Sequence, residues 1–143
     1  MKFSVTYYGS SGWFINFDGF NILIDPWLTG DLVFSPGPWL IKGELTKDIP
    51  VPDRIDLLLL TQGLPDHAHP PSLELLNRSV SVICSPSAFK VIDRLGFWRK
   101  QQLVPGEVTN FASIYVEATE GARVPTIENG YIVSNENFSF YIE

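Results

Sequence analysis

Cysteine occurs once in these 143 residues and histidine only twice, while Lys and Arg together number 10 against 16 Asp and Glu. Each shortage closes off a class of protein. With Cys84 alone, an intramolecular disulfide is impossible, and its place in an apolar run makes a small buried core thiol the expectation. A net charge of −6 and a pI near 4.8 argue against a nucleic-acid partner, because neutralising phosphates requires clustered Lys and Arg. Arg94, Arg99 and Lys100 form the only local basic group, and it reads as a solvated face. No apolar run approaches the roughly 20 residues needed to cross a bilayer, so no membrane partner is expected. Met1-Lys2-Phe3-Ser4-Val5 alternates instead of forming an apolar signal-peptide core, and a cytoplasmic location follows as the expectation. No glycine-rich phosphate loop of the dinucleotide or Walker type is present, so no organic cofactor is implied. No Gly-x-Ser-x-Gly elbow occurs either, which makes a Ser/His/Asp arrangement the weaker competitor and leaves Gly9-Ser10-Ser11-Gly12 as a turn between strands.

What is present is apolar and aromatic. A hydrophobic share of 45% and an aromatic share of 13% predict a packed globular core, and the length fits one domain. Glycine and proline, 11 of each, predict many turns instead of long helices. Phe3, Val5 and Tyr7 alternate with Ser4, Thr6 and Tyr8, the period of a half-buried strand. Runs 13–17 and 20–24 flank Asp18-Gly19, a strong hairpin signal. The second run ends at Asp25-Pro26, where the proline stops the ladder and biases Asp25 toward an extended backbone.

Residues 27–53 lose periodicity under four prolines and read as a long loop. Its aromatics are expected to pack on the sheet edge rather than to form a flap. Ile55 to Leu60 and Val80 to Cys84 read as strands buried on both faces. Pro70-Pro71 opens a short helix. Ser85-Pro86 is an N-cap before a helix carrying Ala88, Val91, Ile92 and Leu95 and stopping at Gly96. Gln102 to Val104 reads as a short strand, and Ile114 to Thr119 as an alternating one. Asn129-Gly130 and Asn135-Glu136-Asn137 are read as flanking a final hairpin. The fold class expected is α+β, a mixed and mostly antiparallel sheet with helices on one face.

The chemistry concentrates in Leu57-Leu58-Leu59-Leu60-Thr61-Gln62-Gly63-Leu64-Pro65-Asp66-His67-Ala68-His69. Both histidines and a carboxylate follow directly on a buried strand. Asp66, His67 and His69 make a 2-His-1-carboxylate set, which suits zinc or ferrous iron with open positions. The bland alternative is a retained loop in which Asp66 caps the following helix and the imidazoles bond backbone carbonyls.

Gly9-Ser10-Ser11-Gly12, Ile22-Leu23-Ile24-Asp25-Pro26 and the Asp66-His67 loop, in this order, resemble the N-terminal half of the metallo-β-lactamase superfamily, in its lactonase and metal-dependent hydrolase branch. The loop pattern of Gln62, Gly63, Leu64, Asp66, His67 and His69 is similar to a plant and cyanobacterial subgroup. The resemblance implies half of an αββα sandwich and brings Asp25 beneath the loop as a fourth oxygen ligand. It also implies a bound metal, zinc or else iron or manganese, activating water for hydrolysis. Laid on the family's His-x-His-x-Asp-His signature, however, this chain has Gln62 and Leu64 at the two leading histidines. Glu120-Gly121-Ala122 stands where a further one is expected.

Two functions follow. One is a hydrolase of a small ester, lactone or phosphorylated metabolite, with Asp66 and His67 as catalytic residues and Asp25, Asp66, His67 and His69 as metal ligands. The other is a non-catalytic binding or assembly module. Relative to the family the domain is expected to be incomplete, predicting either a homodimer that rebuilds the missing half or a longer natural chain.

Overall fold

The computed structural model describes residues 2–123 and 126–143. The chain order is β1 (Phe3–Gly9), β2 (Gly12–Phe17), β3 (Phe20–Ile24), β4 (Asp31–Val33), β5 (Lys42–Glu44), β6 (Leu57–Leu60), α1 (Pro70–Glu74), β7 (Ser81–Cys84), α2 (Pro86–Arg94), β8 (Lys100–Gln102), β9 (Val108–Phe111), β10 (Ile114–Arg123), β11 (Ile127–Ser134) and β12 (Ser139–Ile142). A six-stranded sheet runs β1-β2-β3-β6-β7-β8, a four-stranded sheet β12-β11-β10-β9, and β4 and β5 form a small hairpin.

The meander β1-β2-β3 is antiparallel, turning at Asp18 and Gly19, both with positive φ and with Phe17 paired to Phe20. From β3 onward the large sheet is parallel through β6, β7 and β8. Parallel strands buried on both faces need apolar side chains at every position, and the leucine run supplies them. Leu57 and Leu59 face the four-stranded sheet, meeting a layer that includes Ile114, Val116, Tyr131 and Val133. Leu58 and Leu60 face the opposite way, toward Leu73 of α1 and Ala88 and Ile92 of α2. The result is three layers, helices on a mixed sheet on an antiparallel sheet, as the α+β expectation requires.

Helix α2 begins where the sequence places it. The Ser85 hydroxyl accepts from the Ala88 N–H at 3.3 Å, Pro86 opens the first turn, and Gly96 closes the C-terminal end at φ 82°.

Three expectations are corrected. Asp25 is not extended but sits at φ 41°, because its N–H bonds the Leu59 carbonyl and its carboxylate is held by Thr61 and His67. Asn129-Gly130 is not a turn: both residues lie inside β11, paired with Glu120 and Thr119. The 27–53 loop contains the β4–β5 hairpin, and only part of it packs down. Trp27 is 8% exposed, whereas Trp39 is 76% exposed.

Candidate active site at the strand exits

In a parallel sheet all strands deliver their C-terminal ends to one edge, the usual place for ligand sites in such sheets. Here that edge receives Asp25 after β3, Thr61 after β6 and Ser85 after β7. Because β2 runs the other way, it contributes its N-terminal end, and the turn carrying Ser11 arrives at the same edge.

Asp25 is 1% exposed and saturated with donors. Its Oδ1 accepts from the Thr61 N–H at 2.9 Å, and its Oδ2 accepts from the Thr61 hydroxyl at 2.5 Å and from His67 Nδ1 at 2.7 Å. Thr61 Oγ1 also lies 2.9 Å from His67 Nδ1. A carboxylate cannot donate, so in the neutral ring this set places the imidazole proton on Nδ1 and leaves the Nε2 lone pair facing outward. Ser11 Oγ stands 3.3 Å from that nitrogen and Asp66 Oδ2 3.5 Å from it.

Burial pushes the Asp25 carboxyl up in pKa, against the pull of His67 and Thr61. Burial by itself would lower His67. The Asp25 hydrogen bond and charge, with the Asp66 and Glu128 charges behind them, more than offset it and hold His67 above the usual imidazole value. The pair therefore retains a proton readily, and an imidazolium formed there has three carboxylates to stabilise it.

The loop is clamped from two sides. Gly63 N–H donates to Ser87 Oγ at 2.8 Å in the first turn of α2, and Ser87 Oγ donates to Glu128 Oε2 at 2.6 Å. A Cβ at Gly63 would stand 2.7 Å from the Ser87 backbone, so the clamp needs glycine. Asn129 N–H bonds the Thr61 carbonyl at 3.2 Å, and the Tyr131 hydroxyl donates to the Leu60 carbonyl at 3.1 Å. Glu128 and Asn129, both buried, thus belong to the site's support. Reading Asn129-Gly130 as a turn hid them.

His69 goes elsewhere. Ser72 Oγ accepts from the Leu28 N–H at 2.7 Å, so its own proton is directed to His69 Nδ1 at 2.8 Å, and His69 Nε2–H donates to the Asp31 carbonyl at 3.1 Å. Both ring nitrogens are committed, and burial lowers the pKa, keeping the ring neutral. His69 stitches the 28–31 segment to the start of α1 and shares no hydrogen-bond partner with His67. Helix α1 takes its N-cap at His69 with no side-chain cap bond, so Asp66 does not cap it.

Of the four residues read from the sequence, Asp25, Asp66 and His67 come together and His69 does not. Among the described residues no group of three or more His, Cys, Asp and Glu side chains is arranged to hold a metal ion. Catalytic zinc sites draw three ligands from the protein. Here Asp25 is saturated by Thr61 and His67, both nitrogens of His69 are committed, and position 64 is leucine, so only His67 Nε2 and Asp66 remain as donors and these residues do not make such a site. Among the described residues four buried side-chain oxygens have no partner: Gln62 Oε1, Asp66 Oδ1, Thr119 Oγ1 and Asn129 Oδ1.

A helix-covered mixed sheet stacked on an antiparallel sheet, with Asp25 and the Asp66-His67 loop at the exits of its parallel strands, defines the metallo-β-lactamase class of fold. The sequence model of the beta-lactamase superfamily domain matches residues 4–143, and the chain belongs to that family. No match was found among curated proteins.

Among solved structures, the diiron β-hydroxylase CmlA from Streptomyces venezuelae is 22% identical with a TM-score of 0.70, over 99% of this chain and 29% of that one. A metal-dependent hydrolase from Parabacteroides distasonis is 16% identical with a TM-score of 0.71, over 98% and 59%. The isothiocyanate hydrolase from Delia radicum gut bacteria is 16% identical with a TM-score of 0.73, over 96% and 60%. These likenesses establish the fold, and the chain spans between 29% and 60% of the length of these three structures.

Proposed function

We propose that this chain carries a hydrolytic site for a small ester or lactone, in which the Asp25–His67 pair acts as a general base. The observation that supports it is the buried 2.7 Å contact between Asp25 Oδ2 and His67 Nδ1, which orients an unprotonated Nε2 toward the strand-exit edge. His67 Nε2 removes a proton from an attacking oxygen, that oxygen adds to the ester carbonyl, and the departing alkoxide leaves with the proton from Nε2. Asp25 fixes the tautomer, and Asp66 and Glu128 favour the transient imidazolium.

The test is hydrolysis of p-nitrophenyl acetate and a small lactone before and after exhaustive chelation. Activity is expected to survive chelation and to fall about 10²–10⁴-fold in His67→Ala, the usual contribution of a positioned general base. If His67→Ala hydrolyses these substrates at the wild-type rate, the reading fails and a non-catalytic binding or assembly module takes its place.

A second reading is favoured by Asp66, whose Oδ1 is buried without a partner while Oδ2 lies 3.5 Å from His67 Nε2. In it Asp66 and His67 are two ligands of a zinc, iron or manganese ion, and a phosphorylated metabolite joins the substrate classes. It requires donors beyond these two. Elemental analysis of protein purified without chelator supports it at one metal per chain and removes it at trace levels.

A homodimer and a cytoplasmic location complete the proposal. Edge strand β1, with Val5 at 47% and Tyr7 at 57% exposed, supports pairing between copies. Sedimentation velocity measures the pairing, and imaging of a tagged chain the location. Among the described residues no helix is long and apolar enough to cross a membrane.

A further inference from the structure

We infer that Ser11 is a nucleophile, the outer member of a Ser11–His67–Asp25 relay that forms a covalent acyl intermediate with small esters or lactones. This rests on the hydrolytic reading of the same site and adds to it the identity of the attacking oxygen.

The geometry is a chain of two contacts. Ser11 Oγ is 3.3 Å from His67 Nε2, and His67 Nδ1 is 2.7 Å from Asp25 Oδ2. Hydroxyl, imidazole and carboxylate stand in the order that nucleophilic relays require, and such relays are recognised by geometry instead of by position in the chain. With the ring proton on Nδ1, Nε2 can only accept, so the hydrogen bond runs from Ser11 Oγ–H to Nε2. The same lone pair cannot serve both a metal ion and this hydroxyl, and the incomplete metal donor set favours the hydroxyl.

Ser11 is half-buried, and the turn that presents it is fixed from several sides. A Cβ at Gly12 would lie 3.1 Å from the Gly9 carbonyl and 3.3 Å from the Asp25 carbonyl, so glycine at position 12 lets the turn rest directly on the backbone of Asp25. The Tyr7 hydroxyl donates to the Ser10 carbonyl at 3.0 Å. Ser10 is held at φ 50° and Asp25 at φ 41°, two left-handed backbones beside one imidazole. Strain of this kind persists where the surroundings over-determine it, and it collects at functional sites. Among the described residues neither the Ser10 nor the Ser11 N–H is spent on a turn or loop hydrogen bond.

The proposed reaction balances without a further reagent. Ser11 Oγ adds to the ester carbonyl as its proton passes to His67 Nε2. The C–O bond to the alcohol breaks, and the alkoxide takes that proton. Water then loses a proton to Nε2 and attacks the acyl group on Ser11. The carboxylic acid departs and the proton returns to Ser11 Oγ.

The purified chain is treated with a fluorophosphonate probe and, separately, mixed with p-nitrophenyl acetate, followed by intact-mass measurement and peptide mapping. One phosphonyl group per chain on Ser11, lost in Ser11→Ala and in His67→Ala, together with a nitrophenol burst equal to the enzyme concentration, supports the inference. In Ser11→Cys the acetyl group is expected to remain at position 11 as a thioester released by neutral hydroxylamine. That variant reads the same intermediate if Ser11→Ala does not fold.

If Ser11→Ala hydrolyses the ester at the wild-type rate while His67→Ala does not, the nucleophile is water. Ser11 then loses its role, and the general-base reading stands. Wild-type rates in both variants remove both readings. A label on Ser10 or Tyr7, or no acyl group at position 11 in Ser11→Cys, overturns the inference.

Discussion

Replacing Asp25 by Asn separates the catalytic role of this residue from its structural one. The amide has nearly the same shape, and Asn is among the residues that tolerate a left-handed backbone such as the φ 41° found at Asp25. Its oxygen can keep the bond to the Thr61 N–H. Its NH2 group then faces Thr61 Oγ1 and His67 Nδ1, the two atoms now within 2.5 Å and 2.7 Å of Oδ2. Every buried group finds a partner, so the loss of stability is held to the difference between a charge-assisted and a neutral hydrogen bond, about 1–2 kcal/mol. The consequence for His67 is much larger. An NH2 at Nδ1 forces the imidazole proton onto Nε2 and destroys the lone pair aimed at Ser11. The equivalent tautomer error in serine-protease relays costs about 10⁴-fold in turnover, and a loss of that order is expected here. Asp25→Ala, by contrast, leaves the Thr61 N–H and the Thr61 hydroxyl proton without their acceptor and His67 Nδ1–H with Thr61 Oγ1 alone, and at about 1–3 kcal/mol per orphaned buried donor it costs roughly 2 kcal/mol or more. Urea denaturation measures stability, ester hydrolysis measures turnover, and ¹⁵N-histidine spectra report the tautomer. An Asp25→Asn protein that keeps more than a tenth of wild-type turnover, or whose His67 keeps an unprotonated Nε2, refutes the reasoning.

Ser72→Ala is expected to cost about 2–3 kcal/mol in urea denaturation, because it strips the acceptor from the Leu28 N–H and the donor from His69 Nδ1 in a buried setting. Ester turnover should remain within about twofold of wild type if His69 is the structural stitch described above, and a collapse of turnover would put His69 back in the site. Burial pushes the Cys84 thiol up to about 12. The unfolded chain releases this proton from about pH 8.5 and the native chain does not, so stability falls as pH rises between those values, with a slope approaching ~1.4 kcal/mol per pH unit from this group. Cys84→Ala is expected to flatten that alkaline slope, and native Cys84 should resist a thiol reagent at pH 8 that labels it at once in urea.

The layers of this fold could be read because they rest on local periodicity. Leu57 to Leu60 shows no alternation, and that uniformity is the signature of a strand buried on both faces. The Ser85-Pro86 start and Gly96 stop of α2 depend only on neighbours within one turn. The β4–β5 hairpin was hidden for the opposite reason: strands of three residues, interrupted by Pro36 and Pro38 between them, carry too few positions for a period to emerge. Asn129-Gly130 misled because its local turn preference was overridden by pairing with Glu120 and Thr119. Its glycine serves another purpose, leaving room for Thr119 and the Tyr141 ring where a Cβ would stand.

The site divides along the same line between local and long-range information. Asp66 and His67 are adjacent in the chain, and their proximity needed no fold. The Asp25–His67 contact spans 42 residues and was foreseen only through the family resemblance. Ser11 lies 56 residues from His67 and carries no motif. It reaches the imidazole because β2 runs antiparallel to β3, so that one sheet edge receives both the start of β2 and the end of β3. A nucleophile search based on local elbows cannot find an arrangement that sheet direction creates. His69 shows the converse, since two histidines one residue apart suggested shared ligation, while the unreadable 27–53 loop supplied the carbonyl that draws the second ring away. The chemistry available to this chain is decided by which oxygens reach each imidazole, and here the Asp25 carboxylate reaches one and the Asp31 carbonyl the other.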